Sequence, residues 1–386
     1  MIIVHICLGN FYVEGMGYQE NLITRFHSEQ GHLVYVLTSD FAFDGKGKAV
    51  KKTNKSYTNQ YGVNVKVLEK KSSFLARYGI YKGLYEELMN LNPDIVFTHG
   101  GTFLSLRTVT RYCKKHDCDY YIDQHGDYYN SPVDSLRGRL VYKYLYGHFM
   151  RKAAPYVKRF WGVTPWRCQY LHDVIGIQKD KIGLLIMGGD DEKIHFNEMP
   201  QLRNDIRKEL ELGNDDFVIV TGGKIDRSKN IHLLMQAVSE LNGKVKLIVF
   251  GQPNDEMKNE IAGLSDNVNI RFLGWIPSDK AYDYFLAADL AVFPGTHSVL
   301  WEQACACGIP CVFKNWDGMH HIDVGGNCKF LYKDSTEEIK SVLSEIADNK
   351  AEYLEMKNVA EKEKNSFFYS KIAKVAIGDL NEYKRN

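Results

Sequence analysis

FVIVTGGKIDRSKNIHLLMQAVSEL, residues 217–241, decides the architecture. A β-branched run at 217–221 ends in two glycines, polar and basic residues follow, and an apolar pattern of helical period then runs over 231–241. Strand, loop and helix in that order form the repeating unit of a parallel sheet. Asn230 stands where it can cap the helix. Glycines allow close backbone approach and a helix start offers unpaired amides, so Gly223, Lys224 and Lys229 form a candidate diphosphate site. A solvated turn with incidental lysines is the alternative, and the spacing is not that of a P-loop.

The same alternation runs outward in both directions. Strands are expected at residues 2–7, 33–37, 63–68, 95–99, 120–123 and 160–163, with helices between them, for example 19–28 and 74–89. A polar connection at 187–200 breaks the pattern, which restarts with a helix at 202–210. Further strands are expected at 245–250, 268–272, 290–293 and 311–313, interleaved with helices at 278–288 and 300–306. The restart divides the chain into a first domain at 1–190 and a second at 191–365. A charged helical tail at 366–386 has an apolar face that can pack back on the first domain. Two doubly wound α/β domains place their ligand loops beyond the carboxyl ends of their strands, with a shared active site expected in the cleft where the parallel sheets face each other.

Composition sets further bounds. The chain has 386 residues, 44% hydrophobic and 25% charged, with a net charge of +1. Up to Asp190 there are 25 Lys and Arg against 17 Asp and Glu; the remainder is acidic. MIIVHIC reads as a first strand rather than a signal peptide, and no apolar run is long enough to span a bilayer. Eight cysteines lack metal-ligand spacing; Cys305, Cys307 and Cys311 read as buried thiols in a reducing compartment, which places the protein in the cytoplasm.

A second candidate site lies in FPGTHSVLWEQACACGIPCVF, residues 293–313. Small and polar residues near Ser298 leave amides open to phosphate at the start of a helix, and Glu302 or Gln303 one turn later can accept from ribose hydroxyls. A buried helix closed by Gly308 and Pro310 is the alternative.

The ordered series GYQEN (17–21) with Gly31 and His32, DQHGD (123–127), GVTPW (162–166), GGK with Lys229, VFGQ (249–252), FLGWIP (272–277), AADLAVFPG (287–295) and QACACGIP (303–310) resembles the family 4 retaining glycosyltransferases of GT-B fold, of the bacterial polysaccharide-assembly type. This resemblance implies transfer of a sugar from a nucleotide sugar, a UDP-sugar, to a growing glycan that is lipid-linked in some members. It matches Lys224 and Lys229 to the pair gripping the donor diphosphate, and His297, Ser298 and Val299 to the phosphate-binding helix start. Trp275 and Ile276 fall where the base is held. Gly15 and Gly17 match the loop that closes over the donor phosphates, and His125 a histidine reaching the donor sugar. The family has two glutamates separated by seven residues; here Gln303 stands at the second position and Gly295 at the first. His321 or Asp323 is a candidate for the missing donor contact.

Three expectations about partners remain. Asp117 and Asp119 resemble a metal-binding pair but precede a strand and read as a solvated turn. With lysines and amides available, no metal or other cofactor is expected. Residues 137–161 interleave Arg and Lys with Tyr, Phe and Trp, so this segment meets either an anionic membrane surface or the protein core; no nucleic-acid motif accompanies it. Two rival functions stand beside the transferase. One is a glycan-binding scaffold with impaired catalysis, suggested by Gly295; the other is a nicotinamide-dependent oxidoreductase, whose Gly-x-Gly-x-x-Gly fingerprint the first loop lacks.

Overall fold

The computed structural model describes residues 1–9, 12–43, 49–51, 56–71, 78–131, 133–241, 243 and 245–378. The chain divides into two compact units, the first comprising Met1–Ile186 with the tail from Tyr369, the second Met187–Phe368.

The first unit is built on β1 (Ile2–Cys7), β2 (Leu33–Ser39), a short ribbon of β3 (Phe41–Phe43) and β4 (Ala49–Lys51), β5 (Ser56–Thr58), β6 (Asn64–Leu68), β7 (Ile95–His99), β8 (Asp119–Gln124), β9 (Arg159–Gly162) and β10 (Ile182–Leu184). Its main sheet has the order β10-β9-β8-β7-β1-β2-β6-β5, parallel except for the β5–β6 pair. Successive side chains of a strand face opposite sides. Val4 and Ile6 therefore join the core under helices Leu106–Lys115 and Gly147–Ala153, while Ile3 joins the opposite core with Leu22, Ile23, Phe97, Tyr121 and Trp161. Burial on both faces explains why these strands read as nearly continuous apolar runs.

The second unit holds β11 (Phe217–Gly222), β12 (Val245–Phe250), β13 (Ile270–Gly274), β14 (Leu290–Phe293), β15 (Cys311–Lys314) and β16 (Cys328–Leu331). Their order is β13-β12-β11-β14-β15-β16, all parallel. The strand order reverses between β11 and β14, and the loops leaving these two strands flank the switch point where α/β sheets bind ligands. All eight cysteines are free thiols; burial raises the pKa of Cys305 and Cys307 and keeps them unreactive.

Some elements differ from expectation for local reasons. The helix expected at 74–89 is found at Leu84–Leu91, residues 72–77 lying outside the described part. The strand expected at 268–272 begins at Ile270 because Asn267 accepts from the Asn269 amide and closes a turn, leaving Val268 exposed. The helix after the connection starts earlier, at Met199, with Pro200 in its first turn.

The described part of the tail forms the helix Tyr369–Ala376, which packs on helix Gln19–Glu29 in the first unit. Its last carbonyls lack intrahelical donors. Trp161 Nε1 donates to Ala376 O at 3.0 Å, and His27 Nε2 lies 2.6 Å from Ala373 O. Leu380 and the rest of 379–386 lie outside the described residues. Among the described residues no helix is long and apolar enough to cross a membrane.

Candidate functional site

In the second unit the loops after β11 and β14 are zipped together. Thr296 N donates to Ser228 O at 3.0 Å, and Lys229 Nζ donates to Thr296 O at 2.7 Å and His297 O at 3.0 Å. Lys229 is half-buried, and burial lowers its pKa, Asp226 opposing and Lys224 adding to the effect. Lys224 is exposed, its ammonium 3.1 Å from Asp226. Asp226 also accepts from Ser228 N and Oγ, which turns the chain so that Lys229 points back to the neighbouring loop. Asn230 stands at the N-cap of the following helix, but its side chain does not cap it: its φ is 54°, and its amide donates to Pro294 O at 3.1 Å and Asp334 Oδ1 at 2.6 Å. It serves as a third stitch between the two loops.

Glycine is required at two positions. Gly251, at φ +131°, lies so close to Gly223 O that an added Cβ overlaps it, which keeps the β12 loop against the phosphate-type loop. A Cβ at Gly295 overlaps Ser228 O and Lys229 C. The zipped loops therefore leave no room for a carboxylate at 295, which accounts physically for the departure seen in the sequence.

Glu302 is engaged with two histidines. Its carboxylate is fully buried, and Oε1 lies 2.8 Å from His297 Nε2 and 2.9 Å from His321 Nε2. Burial works against the charge, but the two histidines outweigh it and hold the pKa at about 2. The cluster ties the loop after β15 to the loop after β14. Its three ligand-type atoms lie within 4.8 Å of one another, a set suited to a divalent ion, and the lengths observed are those of hydrogen bonds. His321 is thus occupied with Glu302, and Asp323 Oδ1 closes its own turn by accepting from Gly325 N and Gly326 N.

The remaining expected residues fall at strand ends. Ser298 and Val299 precede helix Leu300–Ala306, and Gln303 within it is buried. Trp275 and Ile276 follow β13, Trp275 being 70% exposed. In the first unit Gly15 and Gly17 are exposed, with open space where a Cβ would stand. Asp119 pairs with Lys158 at 2.6 Å.

His125 follows β8, and its Nε2 lies 3.3 Å from Asp123 Oδ2. Burial opposes its charge, but Asp123 outweighs this and raises its pKa. Behind it runs a row that sequence reasoning missed. Asp123 Oδ2 is 2.7 Å from His99 Nδ1, His99 Nε2 is 3.0 Å from His5 Nδ1, and His5 Nε2 is 3.0 Å from His27 Nδ1. His5, His27, His99 and Asp123 are all fully buried. The available signal was a histidine inside each of two apolar strands, MIIVHIC and IVFTH.

Residues 203–363, inside the second unit, match the family described as Glycosyl transferases group 1. An N-acetylgalactosamine-N,N'-diacetylbacillosaminyl-diphospho-undecaprenol 4-alpha-N-acetylgalactosaminyltransferase from Campylobacter jejuni is 30% identical over 120 residues, 28% of this chain and 32% of the relative. The match thus spans about a third of that relative's length. Among solved structures, a glycosyltransferase from Rickettsia africae has a TM-score of 0.69 at 13% identity, covering 100% of this chain and 99% of that one. Anabaena Alr3699/HepE in complex with UDP has 0.67 at 16%, covering 98% and 99%. WaaG, involved in lipopolysaccharide biosynthesis, has 0.63 at 16%, covering 97% and 100%. The chain has the GT-B fold.

The Glu302 cluster makes a pH-dependent contribution to stability. A carboxyl whose folded pKa is depressed from 4.5 to about 2 stabilises the fold fully above pH 4.5 and loses that contribution as pH falls toward 2. Glu302→Gln should lower stability at pH 7 by on the order of 3 kcal/mol. In urea melts the gap to wild type should shrink between pH 4.5 and 2; a gap that is constant across this range contradicts the assignment.

Proposed function

We infer that this chain, whose second unit belongs to the group 1 glycosyl transferases, moves a sugar from a nucleotide sugar, a UDP-sugar, to a growing bacterial glycan with retention of configuration. The observation carrying this reading is the pair of loops zipped at the β11–β14 switch point, with one exposed and one anchored lysine beside them. The UDP complexes among structures of the same fold and the diphospho-undecaprenol named for the Campylobacter relative support the donor and a lipid-linked acceptor.

The residues divide the work. Lys229 commits two protons to loop carbonyls and keeps a third for the donor diphosphate, so it both shapes and charges the site. Lys224 carries an exposed ammonium that neutralises charge developing on the leaving diphosphate. Amides near Ser298 add dipoles, and Gln303 pairs with the ribose as a neutral amide, bringing no further negative charge to the diphosphate. Fixed cations replace a metal in this account. In the first unit, His125, Gly15 and Gly17 are the residues that the family resemblance matches to donor contacts.

UDP should therefore raise the Tm in EDTA, by about 3 kcal/mol of stability at a hundredfold excess over Kd. Lys224→Ala should weaken UDP binding roughly tenfold with the unliganded Tm unchanged, whereas Lys229→Ala should lower both. Stabilisation that requires added divalent metal contradicts this reading, as does normal UDP binding by either variant.

For a lipid-linked acceptor the proposed location is the inner face of the cell membrane. Within residues 136–161, Met150, Phe160 and Trp161 are core, while Leu136, Leu140 and Tyr144 are exposed at a spacing of four residues beside Arg137 and Lys143. This apolar stripe with basic flanks is the surface proposed to meet anionic lipid. Lys158 and Arg159, by contrast, are engaged with Asp119 and with the Asp180 carbonyl. Leu140→Ser with Arg137→Ser and Lys143→Ser should reduce salt-sensitive binding to phosphatidylglycerol vesicles severalfold; equal partitioning of wild type and variant removes the membrane from the account.

A further inference from the structure

The row from Ala373 to Asp123 imposes a proton count. At one end Ala373 O, in the last turn of the tail helix, only accepts, so His27 Nε2 carries a proton toward it. At the other end Asp123 already accepts from Gly100 N at 2.9 Å through Oδ1, and as a carboxylate it requires a proton on His99 Nδ1. Between these ends are two nitrogen–nitrogen contacts of 3.0 Å, His27 to His5 and His5 to His99. Each holds one proton, since two lone pairs repel at that distance and two N–H groups collide. Filling all four contacts takes four protons, and three neutral imidazoles carry three. With every ring fully buried, a deficit leaves a polar atom facing its own kind away from water, which costs about 1–3 kcal/mol.

We propose that His5, His27 and His99 together carry four ring protons, that the surplus charge resides on His99 as the counter-ion of Asp123, and that His5 and His27 are positioning residues acting through this ion pair on His125. The position of the charge follows from the neighbours. His27 packs edge-on to His32, 6.1 Å between centroids, and among the described residues no carboxylate contacts it or His5, whereas His99 touches Asp123 directly. The other two rings are held neutral: burial and the adjacent histidines depress His5 despite the attraction of Asp123, and burial, partly offset by the Ala373 carbonyl, pushes His27 down to about 3.

The consequence falls on His125. Besides Asp123 it faces Glu20 from helix Gln19–Glu29 and Arg167 from helix Pro165–Tyr170, the latter held by Asp127 at 3.1 Å. With His99 charged, Asp123 is already neutralised and pulls less strongly on the His125 proton. His125 then takes the form with hydrogen on Nε2 toward Asp123, leaving Nδ1 as the lone-pair nitrogen, an acceptor for a hydroxyl. The link to a sugar hydroxyl rests on the proposed transfer; the proton count does not.

The test is two-bond proton–nitrogen correlation on the full chain with 15N-labelled histidine at pH 7.5, which reports every ring's protonation without any assay of transfer. His5 and His27 should be in the Nε2–H form and His99 doubly protonated. A singly protonated His99, or an Nδ1–H form of His5 or His27, overturns the proposal. In His5→Leu the chain is cut, His99 loses its Nε2 acceptor and becomes neutral, and the unneutralised Asp123 should raise the His125 titration by about one pH unit. An unchanged or lowered titration in the folded variant also overturns it. Should that variant fail to fold, the wild-type spectrum decides alone.

Discussion

The ammonium of Lys229, bonded at once to the carbonyls of Thr296 and His297, is the interaction on which the second unit's site depends. β11 and β14 are paired in the sheet, but the ladder ends with the strands and cannot fix the loops that leave them. A single cation reaching across the switch point does so, helped by Ser228 and Asn230. The close approach it enforces admits only glycine at 295, and Glu302 extends the constraint to a third loop through His297 and His321. One contact thus decides where backbone amides can face a phosphate and where a carboxylate cannot stand.

Both units solve the same problem in the same way. A fully buried carboxylate is costly unless paired. Glu302 is shared by two histidines, and so is Asp123, which lies between His99 and His125. The difference is where the second partner leads. In the second unit both histidines end in loops. In the first, His99 begins a row of rings that ends on a carbonyl of the tail helix, so the placement of that helix and the ionisation beside His125 are held by one continuous set of hydrogen bonds.

The alternation of strands and helices was legible because burial on both faces of parallel sheets writes uninterrupted apolar runs, and β1, β7, β12 and β14 were read at their observed ends. Lys229 was legible from its glycine-rich setting, although its anchoring to carbonyls was not, because that bond joins residues 67 and 68 apart in sequence. The histidine partners of Glu302 were not legible for a physical reason. Helical position gives the direction of a side chain relative to its own axis, but not which histidine from another loop will meet it. The histidine row was missed for the same reason: the two strand histidines could be seen, but not that four separate elements bring the row together.

The central claim is that the donor nucleotide is held by the loops leaving β11 and β14. Amide hydrogen exchange with and without UDP tests it directly, since opening of a loop is resisted when a ligand bridges it. The account predicts slowed exchange concentrated in residues 222–230 and 295–303, in the absence of divalent metal. Protection confined to other parts of the second unit, with these two segments exchanging as they do without UDP, would contradict it.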